Sequence, residues 1–478
     1  MGLKEFQREN NELLNFILDE RFFKSWKQEP MLVQSKSGLN ISDDEIGMAK
    51  SSGLELYLTS YCNQKCEYCY LQKYENELYP PEYNKQELIL HNLKIVLQWI
   101  LDNDYFIRSI DLFTGEIWHT QFGLDVLDII LEYLDKGMRA QAFIIPSNMS
   151  FIFDEDQICK IQNRIDDAYG KYHVKFCFSA SVDGKYCEDG RPLKNGKIRD
   201  DAFYERLFLF CQHNNFLFHP MVSAHNVKHW KENYDWWKEK CKEYNFIFRK
   251  AVMALEVRND EWDEEALKDY ADFVDYYLED YYQNVCDSDD ITFAKHCFPS
   301  ADRYIEANGH LSPCLPGSYS YHGCTVSDTL CVRVGDLAIF PCHRTAYDKF
   351  NYGYFKVEND KIVGIRSANN VHMAMKILLM NNTNTTVECD ICKYARYCQK
   401  GCYGAQYEYS KDPFIPVKSV CDLYHTKIDK KIEIYERHGV IDYIKNINEY
   451  DEEWELVQEF LKFYEDIQKK EDIYAKVG

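Results

Sequence analysis

From residue 53 the chain alternates stretches of strand spacing with stretches of helical spacing, and this constrains the fold more than any other feature. LELYLT (54–59) alternates as a strand does, and NKQELILHNLKIVLQWIL (84–101) repeats its apolar residues at helical intervals. The pairing recurs as strand 107–113 with helix 123–136, strand 139–145 with helix 154–168 and strand 173–182 with helix 201–214. Strand 216–222 with helix 227–244 and strand 246–257 with helix 263–283 complete six units. Such a run predicts an α/β fold with a parallel sheet curled as an open, partial (β/α)6 barrel. Chemistry in barrels of this kind sits on the loops that follow the strands.

The flanks differ. Residues 1–52 read as an amphipathic helix and a polar linker, SKSGLNISDDE, too short for an independently cored domain. The barrel is expected over 53–283. In 284–425 helical periodicity fades, and nine of the 19 cysteines fall between Cys314 and Cys421. Residues 426–478 return to charged amphipathic helix. A net charge of −22 argues against nucleic acid as a partner, because a phosphate backbone would be repelled. No apolar run is long enough for a bilayer, and MGLKEFQREN lacks the apolar core of a secretory signal. A cytoplasmic location with no membrane partner is expected. There, 19 cysteines suit metal ligation better than a disulfide framework.

Cys62, Cys66 and Cys69 stand at CxxxCxxC spacing directly after the first strand. Three thiolates in one tight loop can bind three corners of an iron–sulfur cube and leave one iron open. An open iron can accept a small chelating molecule. Zinc is the competing reading, but zinc sites usually add a second CxxC or a histidine, and this loop has no histidine.

A CxxxCxxC loop after the first strand of a six-unit barrel resembles the radical S-adenosylmethionine (SAM) superfamily. The resemblance covers residues 53–283 and implies a [4Fe–4S] cluster with an open site that binds SAM. It places the aromatic Tyr68 near the adenine. Thr114, Gly115 and Glu116 resemble the family's GGE, whose backbone meets the SAM amino group, with Thr114 departing from the first glycine. Ser147 and Asn148 resemble its TNG, with Met149 departing from the glycine. Ser179 and Ser181 share one face of the fourth strand, and by resemblance Ser181 contacts SAM. Arg191 matches an arginine that meets the SAM carboxylate, a task suited to a guanidinium fork. Leu255 matches a residue set against adenine.

Cys389-x2-Cys392-x5-Cys398-x3-Cys402, followed by Cys421, resembles the SPASM extension of radical SAM peptide maturases and sulfatase-maturing enzymes. By spacing alone a pair of structural zinc sites also fits. The resemblance implies an irregular cysteine-rich domain carrying two auxiliary [4Fe–4S] clusters, followed by C-terminal helices. One cluster would use Cys389, Cys392, Cys398 and Cys421. The other would use Cys324, Cys342, Cys402 and one more, either Cys314, which we favour, or Cys331. A glycine turn is expected at Gly335, with six residues before Cys342 where the family pattern has four.

The implied reaction is reductive cleavage of SAM to a 5′-deoxyadenosyl radical, which takes hydrogen from an unactivated C–H bond. The auxiliary clusters then accept an electron. The expected substrate is a ribosomally made peptide, oxidatively crosslinked through a thioether or carbon–carbon bond. A small-molecule dehydrogenase and a sulfatase-maturase-like enzyme are the alternatives. Sulfatase maturases carry an aspartate after the glycine-turn cysteine as their proposed base, whereas here His343 stands in that place as a candidate proton acceptor. A flavodoxin- or ferredoxin-type reductant is implied. The N-terminal segment is too short for a winged-helix leader-binding domain, which leaves leader recognition to a separate protein, to another surface, or to nothing.

Overall fold

The computed structural model describes residues 3–27, 52–113, 115–259, 261–285, 329–369, 371–380, 386–395, 398, 401–445 and 454–468. The chain forms two compact units. One comprises Met1–Val182, Arg191–Leu217 and Thr325–Leu379, and the other Asp183–Gly190, Phe218–Cys324 and Met380–Gly478.

The first unit is built on strands β1 (Gly53–Tyr57), β2 (Phe106–Phe113), β3 (Arg139–Ser147), β4 (Lys175–Ala180) and β5 (Asn215–Phe218). They lie side by side in chain order, and the β1–β2, β2–β3 and β3–β4 pairs are parallel. On β2 the residues Ile110 and Leu112 are buried while Ser109, Asp111 and Phe113 on the other face are half-buried. This alternation gives the sheet a helix-covered face and a second face carrying polar groups.

Helices α2 (Gln86–Asp102), α3 (Gln121–Asp135), α4 (Glu155–Tyr172) and α5 (Asp201–Cys211) follow successive strands, as the periodicity predicts. Buried Leu93, Val96, Leu97 and Ile100 show the apolar stripe of α2 at work. Asp154 caps α4 by accepting from the backbone N–H of Asp156 and Gln157. The N-terminal helix α1 (Leu3–Leu18) runs into Trp26, whose ring meets Phe23, Trp99 and Tyr105.

Three features depart from the sequence expectation. Strand 216–222 is split at His219–Pro220 into β5 and β6 (Met221–Val222), because proline has no N–H for the ladder. The strand expected over 246–257 is instead a helical turn, Phe248–Ala251, followed by a two-residue β7 (Leu255–Glu256). In the second unit, β6 and β7 pair in parallel, with helices α6 (Trp230–Glu243) and α7 (Glu264–Val285).

The third departure is that residues 329–367 are not irregular. They form β8 (Thr329–Arg333), β9 (Ala338–Phe340), β10 (Gly353–Glu358) and β11 (Lys361–Ser367), giving a nine-stranded sheet ordered β11-β10-β9-β8-β1-β2-β3-β4-β5. β8 lies parallel to β1 and returns antiparallel as β9 through the Gly335 turn. A Cβ at Gly335 would stand 2.3 Å from the Tyr83 carbonyl oxygen, so only glycine permits this approach. Asn359 and Asp360, both at positive φ, make the tight turn between β10 and β11.

In the second unit α8 (Tyr403–Ser410) and α9 (Lys418–Arg437) follow the last cysteine cluster. Arg437 and His438 bind Glu279 of α7, and Lys427 meets Glu256 of β7 in a buried ion pair at 2.6 Å.

Candidate active site

The Cys62–Cys69 loop leaves the end of β1 and is fastened by its neighbours. Tyr61 just before it accepts the Glu116 N–H at 2.7 Å. Gly115 has φ +76, and a Cβ on it would lie 2.1 Å from the Tyr61 oxygen. The segment after Arg191 runs alongside the loop. Lys65 N–H donates to the Pro192 carbonyl, Lys194 N–H donates to the Asn63 carbonyl, and Gln64 Nε2 donates to the Arg191 carbonyl. Arg191 is thereby held buried with its guanidinium 5.4 Å from the centre of the Tyr68 ring.

Glu116 turns its carboxylate into the protein. It accepts from the Trp118 N–H, the Asn148 N–H and the Ser147 hydroxyl. Burial pushes its carboxyl up to about 7, against those three hydrogen bonds. Asn148 in turn donates to Asn63 Oδ1 in the cysteine loop at 2.7 Å. Met149 adopts the left-handed conformation at φ 59, the backbone a glycine would take at this place. Ser181 N–H donates to the Ser147 carbonyl at 2.7 Å, tying the ends of β3 and β4. Cys62, Cys66, Cys69, Tyr68, Gly115, Glu116, Ser147, Ser181 and Arg191 thus belong to one hydrogen-bonded set of strand-end loops in the first unit. Ser179 lies half-buried on β4, two residues before Ser181. Leu255 lies on β7 in the second unit. Thr114, Cys314 and Cys324 lie outside the described residues.

A second polar group crosses the same sheet. Glu55 on β1 is buried between Asp111 on β2 and Cys331 on β8 in the strand register. His343, just after Cys342, donates its backbone N–H to Glu55 Oε2 at 2.7 Å and sets its Nδ1 3.1 Å from the same oxygen. The imidazole stacks on Phe113, with ring centres 3.9 Å apart. Burial pushes the Asp111 carboxyl up to about 6, with Glu55 adding to the rise and Ser109 and His343 opposing it. Burial and Glu55 together push the Cys331 thiol well up. Sequence reading missed Glu55 and Asp111. The signal was an acidic residue inside an otherwise apolar strand.

In the second unit Cys389, Cys392, Cys398 and Cys421 line one pocket with Ala395, Val417 and Val420. The loop and the start of α9 that supply these cysteines bury Cys398 against Val417, Val420 and Tyr424. Burial pushes the Cys421 thiol up to about 12, and the neighbouring cysteines push the same way. His425, one turn beyond Cys421, places Nε2 3.6 Å from Cys392 Sγ and stacks on Tyr394. Burial lowers it to about 4, so the ring is neutral at neutral pH. Cys402 stands at the start of α8. Cys342 lies in the first unit, 3.4 Å from the Thr345 hydroxyl. Among the described residues no three side chains converge as ligands of a single ion. No described helix is long and apolar enough to cross a membrane.

Neither a family model nor a curated protein sequence matches the chain. Solved structures do. Native anSMEcpe with bound AdoMet and the Cp18Cys peptide is similar at a TM-score of 0.54 and 18% identity, over 81% of this chain and 99% of that one. The polyhistidine-tagged form with bound AdoMet gives 0.55 and 18%, over 85% and 98%. The native form with AdoMet and the Kp18Cys peptide gives 0.53 and 19%, over 83% and 99%. anSMEcpe is an anaerobic sulfatase-maturating radical SAM enzyme with a SPASM domain. The chain described here shares the fold of those structures.

Proposed function

We propose that this chain is a radical SAM enzyme that oxidatively modifies a ribosomally made peptide, forming a thioether or carbon–carbon crosslink. One observation carries the reading: the three-cysteine loop is clamped at the end of β1 by Gly115–Glu116 on one side and the Arg191–Lys194 segment on the other. Likeness of fold to a structure with bound AdoMet and a peptide supports the radical SAM and peptide-modifying part of this reading.

The donor set fits a cluster. Burial pushes the Cys62 thiol up to about 11, so without metal it stays protonated, and ligation is what favours the thiolate. Cys62, Cys66 and Cys69 would hold the open-site cluster. When bound, that cluster and SAM supply a 5′-deoxyadenosyl radical. Tyr68 and Leu255 serve the adenine. Arg191 serves the carboxylate, Thr114, Gly115 and Glu116 the amino group, and Ser147, Ser179 and Ser181 the remaining polar contacts. Cys389, Cys392, Cys398 and Cys421 hold one auxiliary cluster. Cys324, Cys342, Cys402 and Cys314 hold the other, with Cys331 the rival fourth ligand. His343 accepts the substrate proton, with Glu55 fixing its Nδ1 and directing Nε2 to the substrate. A flavodoxin or ferredoxin delivers the electron, and a separate protein can present the leader.

The test is anaerobic reconstitution with SAM and a reductant, then mass spectrometry of a peptide encoded beside this chain. Release of 5′-deoxyadenosine with loss of two hydrogens from the peptide is expected. No 5′-deoxyadenosine from iron-loaded protein would end the enzyme reading. A change confined to one cysteine or serine would move the assignment to the sulfatase-maturase type. His343→Ala should keep 5′-deoxyadenosine release and slow product formation by about 10²-fold, a typical general-base contribution.

A further inference from the structure

The four-cysteine pocket of the second unit contains a polar side chain that the ligand set does not use. Gln406, in α8, is 1% exposed, and neither its Nε2 nor its Oε1 has a hydrogen-bond partner among the described residues. It lines the same pocket as Cys389, Cys392, Cys398 and Cys421. A buried amide left unsatisfied is destabilising, and folded proteins rarely leave one so. Much of the remaining wall is apolar, through Ala395, Val417 and Val420.

The backbone makes room for this amide. A Cβ on Gly401 would stand 2.6 Å from Gln406 Nε2, so a larger residue there would push the side chain from its place. Gln406 itself is anchored through its backbone N–H, which donates to the Cys402 carbonyl at 2.8 Å. A glycine immediately before one cysteine and a buried amide four residues after it are therefore matched to each other.

We propose that Gln406 donates an N–H···S hydrogen bond to the iron–sulfur cluster held by Cys389, Cys392, Cys398 and Cys421, and so raises that cluster's reduction potential. The inference rests on the auxiliary-cluster reading above. Cluster and thiolate sulfurs accept hydrogen bonds and cannot donate them, so the Nε2 end of the amide faces the cluster. A hydrogen bond to sulfur favours the reduced, more negative state, and the potential rises. Gln406 is a positioning and tuning group here, not a ligand. Its direction of action suits a cluster that accepts an electron.

The experiment uses full-length protein, reconstituted anaerobically, with Cys62, Cys66 and Cys69 replaced by alanine to remove the first cluster's signal. It is labelled with glutamine carrying 15N in the side-chain amide alone. Pulsed EPR of the reduced protein should show weak coupling to that nitrogen. Gln406→Leu should keep the parental iron and sulfide, lose the coupling, and titrate at a lower potential. Iron retained with no nitrogen coupling in the parent overturns the inference without any variant. So does a Gln406→Leu protein whose potential is unchanged. A parent that binds no iron or sulfide at these cysteines defeats the cluster reading itself.

Discussion

At the scale of single residues, conformation and charge constrain this molecule at positions that spacing does not reveal. Gly115 must hold φ +76 while its Cα faces the Tyr61 carbonyl. Gly115→Ala adds both a strained backbone and a clash, so a loss of about 2 kcal/mol or more is expected. Urea unfolding measures it, and an unchanged midpoint would refute the fastening role given to this turn. Asp111 makes a different prediction. Its carboxyl titrates from an ordinary 3.8 in the unfolded chain and from about 6 in the fold. Between those values the folded state keeps a proton that the unfolded chain has released. Stability from this group is full below pH 3.8, falls as pH rises through the window, and is flat above about 6. Asp111→Asn should remove that slope. A parental stability profile with no fall across the window, or a variant profile identical to it, would show that Asp111 is not held in its neutral form.

At the scale of elements, the legible parts were those in which one period dominates. β1 to β4 and α2 to α5 stand within a few residues of their sequence ranges, because each strand has one helix-covered face and each helix one buried stripe. The parts that were not legible depend on partners far along the chain. Nothing local in TLCVRVGDLAIF says that β8 will add to β1, since that pairing joins residues more than 270 positions apart, such as Leu54 with Leu330. Likewise Glu55 carries only the signal of an acidic residue in an apolar strand, and its partner His343 lies 288 positions away. Cys389, Cys392, Cys398 and Cys421, grouped by the family resemblance, line one pocket, whereas Gln406 carried no signal, since an amide has no ligand signature. The hairpin at Gly335 shows how a long-range element is held. Arg333, 1% exposed, binds Asp336 at 2.7 Å and donates to the carbonyls of Leu78 and Ala346. Removing one side of a buried pair leaves an uncompensated charge, which costs about 3–5 kcal/mol. Asp336→Ala should therefore unfold at markedly lower urea, while the double change Arg333→Leu with Asp336→Ala should recover part of the loss. If the double variant is worse than the sum of the single changes, the pair is not acting through its buried charge.

At the scale of the whole molecule, the two units differ in what holds them, and on the cluster reading proposed above removing metal should tell them apart. The first unit is organised on the nine-stranded sheet, whose ladders need no ligand. Its aromatic cluster of Phe23, Trp26, Trp99 and Tyr105 is likewise independent of metal. In the second unit, residues 386–395 offer only the short helix Val387–Ile391 before the cysteine pocket, and the wall of that pocket is made of thiols and small apolar groups. Bringing Cys389, Cys392, Cys398 and Cys421 together without metal buries thiols whose thiolates are disfavoured, as the upward push on Cys421 shows. On the auxiliary-cluster reading proposed above, metal binding there would be coupled to folding, and chelation would withdraw stabilisation from the second unit first. Hydrogen exchange on reconstituted and chelated protein should show lost protection over 386–395 and the start of α9. Protection across β1 to β4 should remain. Equal loss in both units would mean that one cooperative structure depends on the clusters. No change in either would mean that the cysteine pocket is closed by its own packing, with Val417, Val420 and Tyr424 sufficient to hold it.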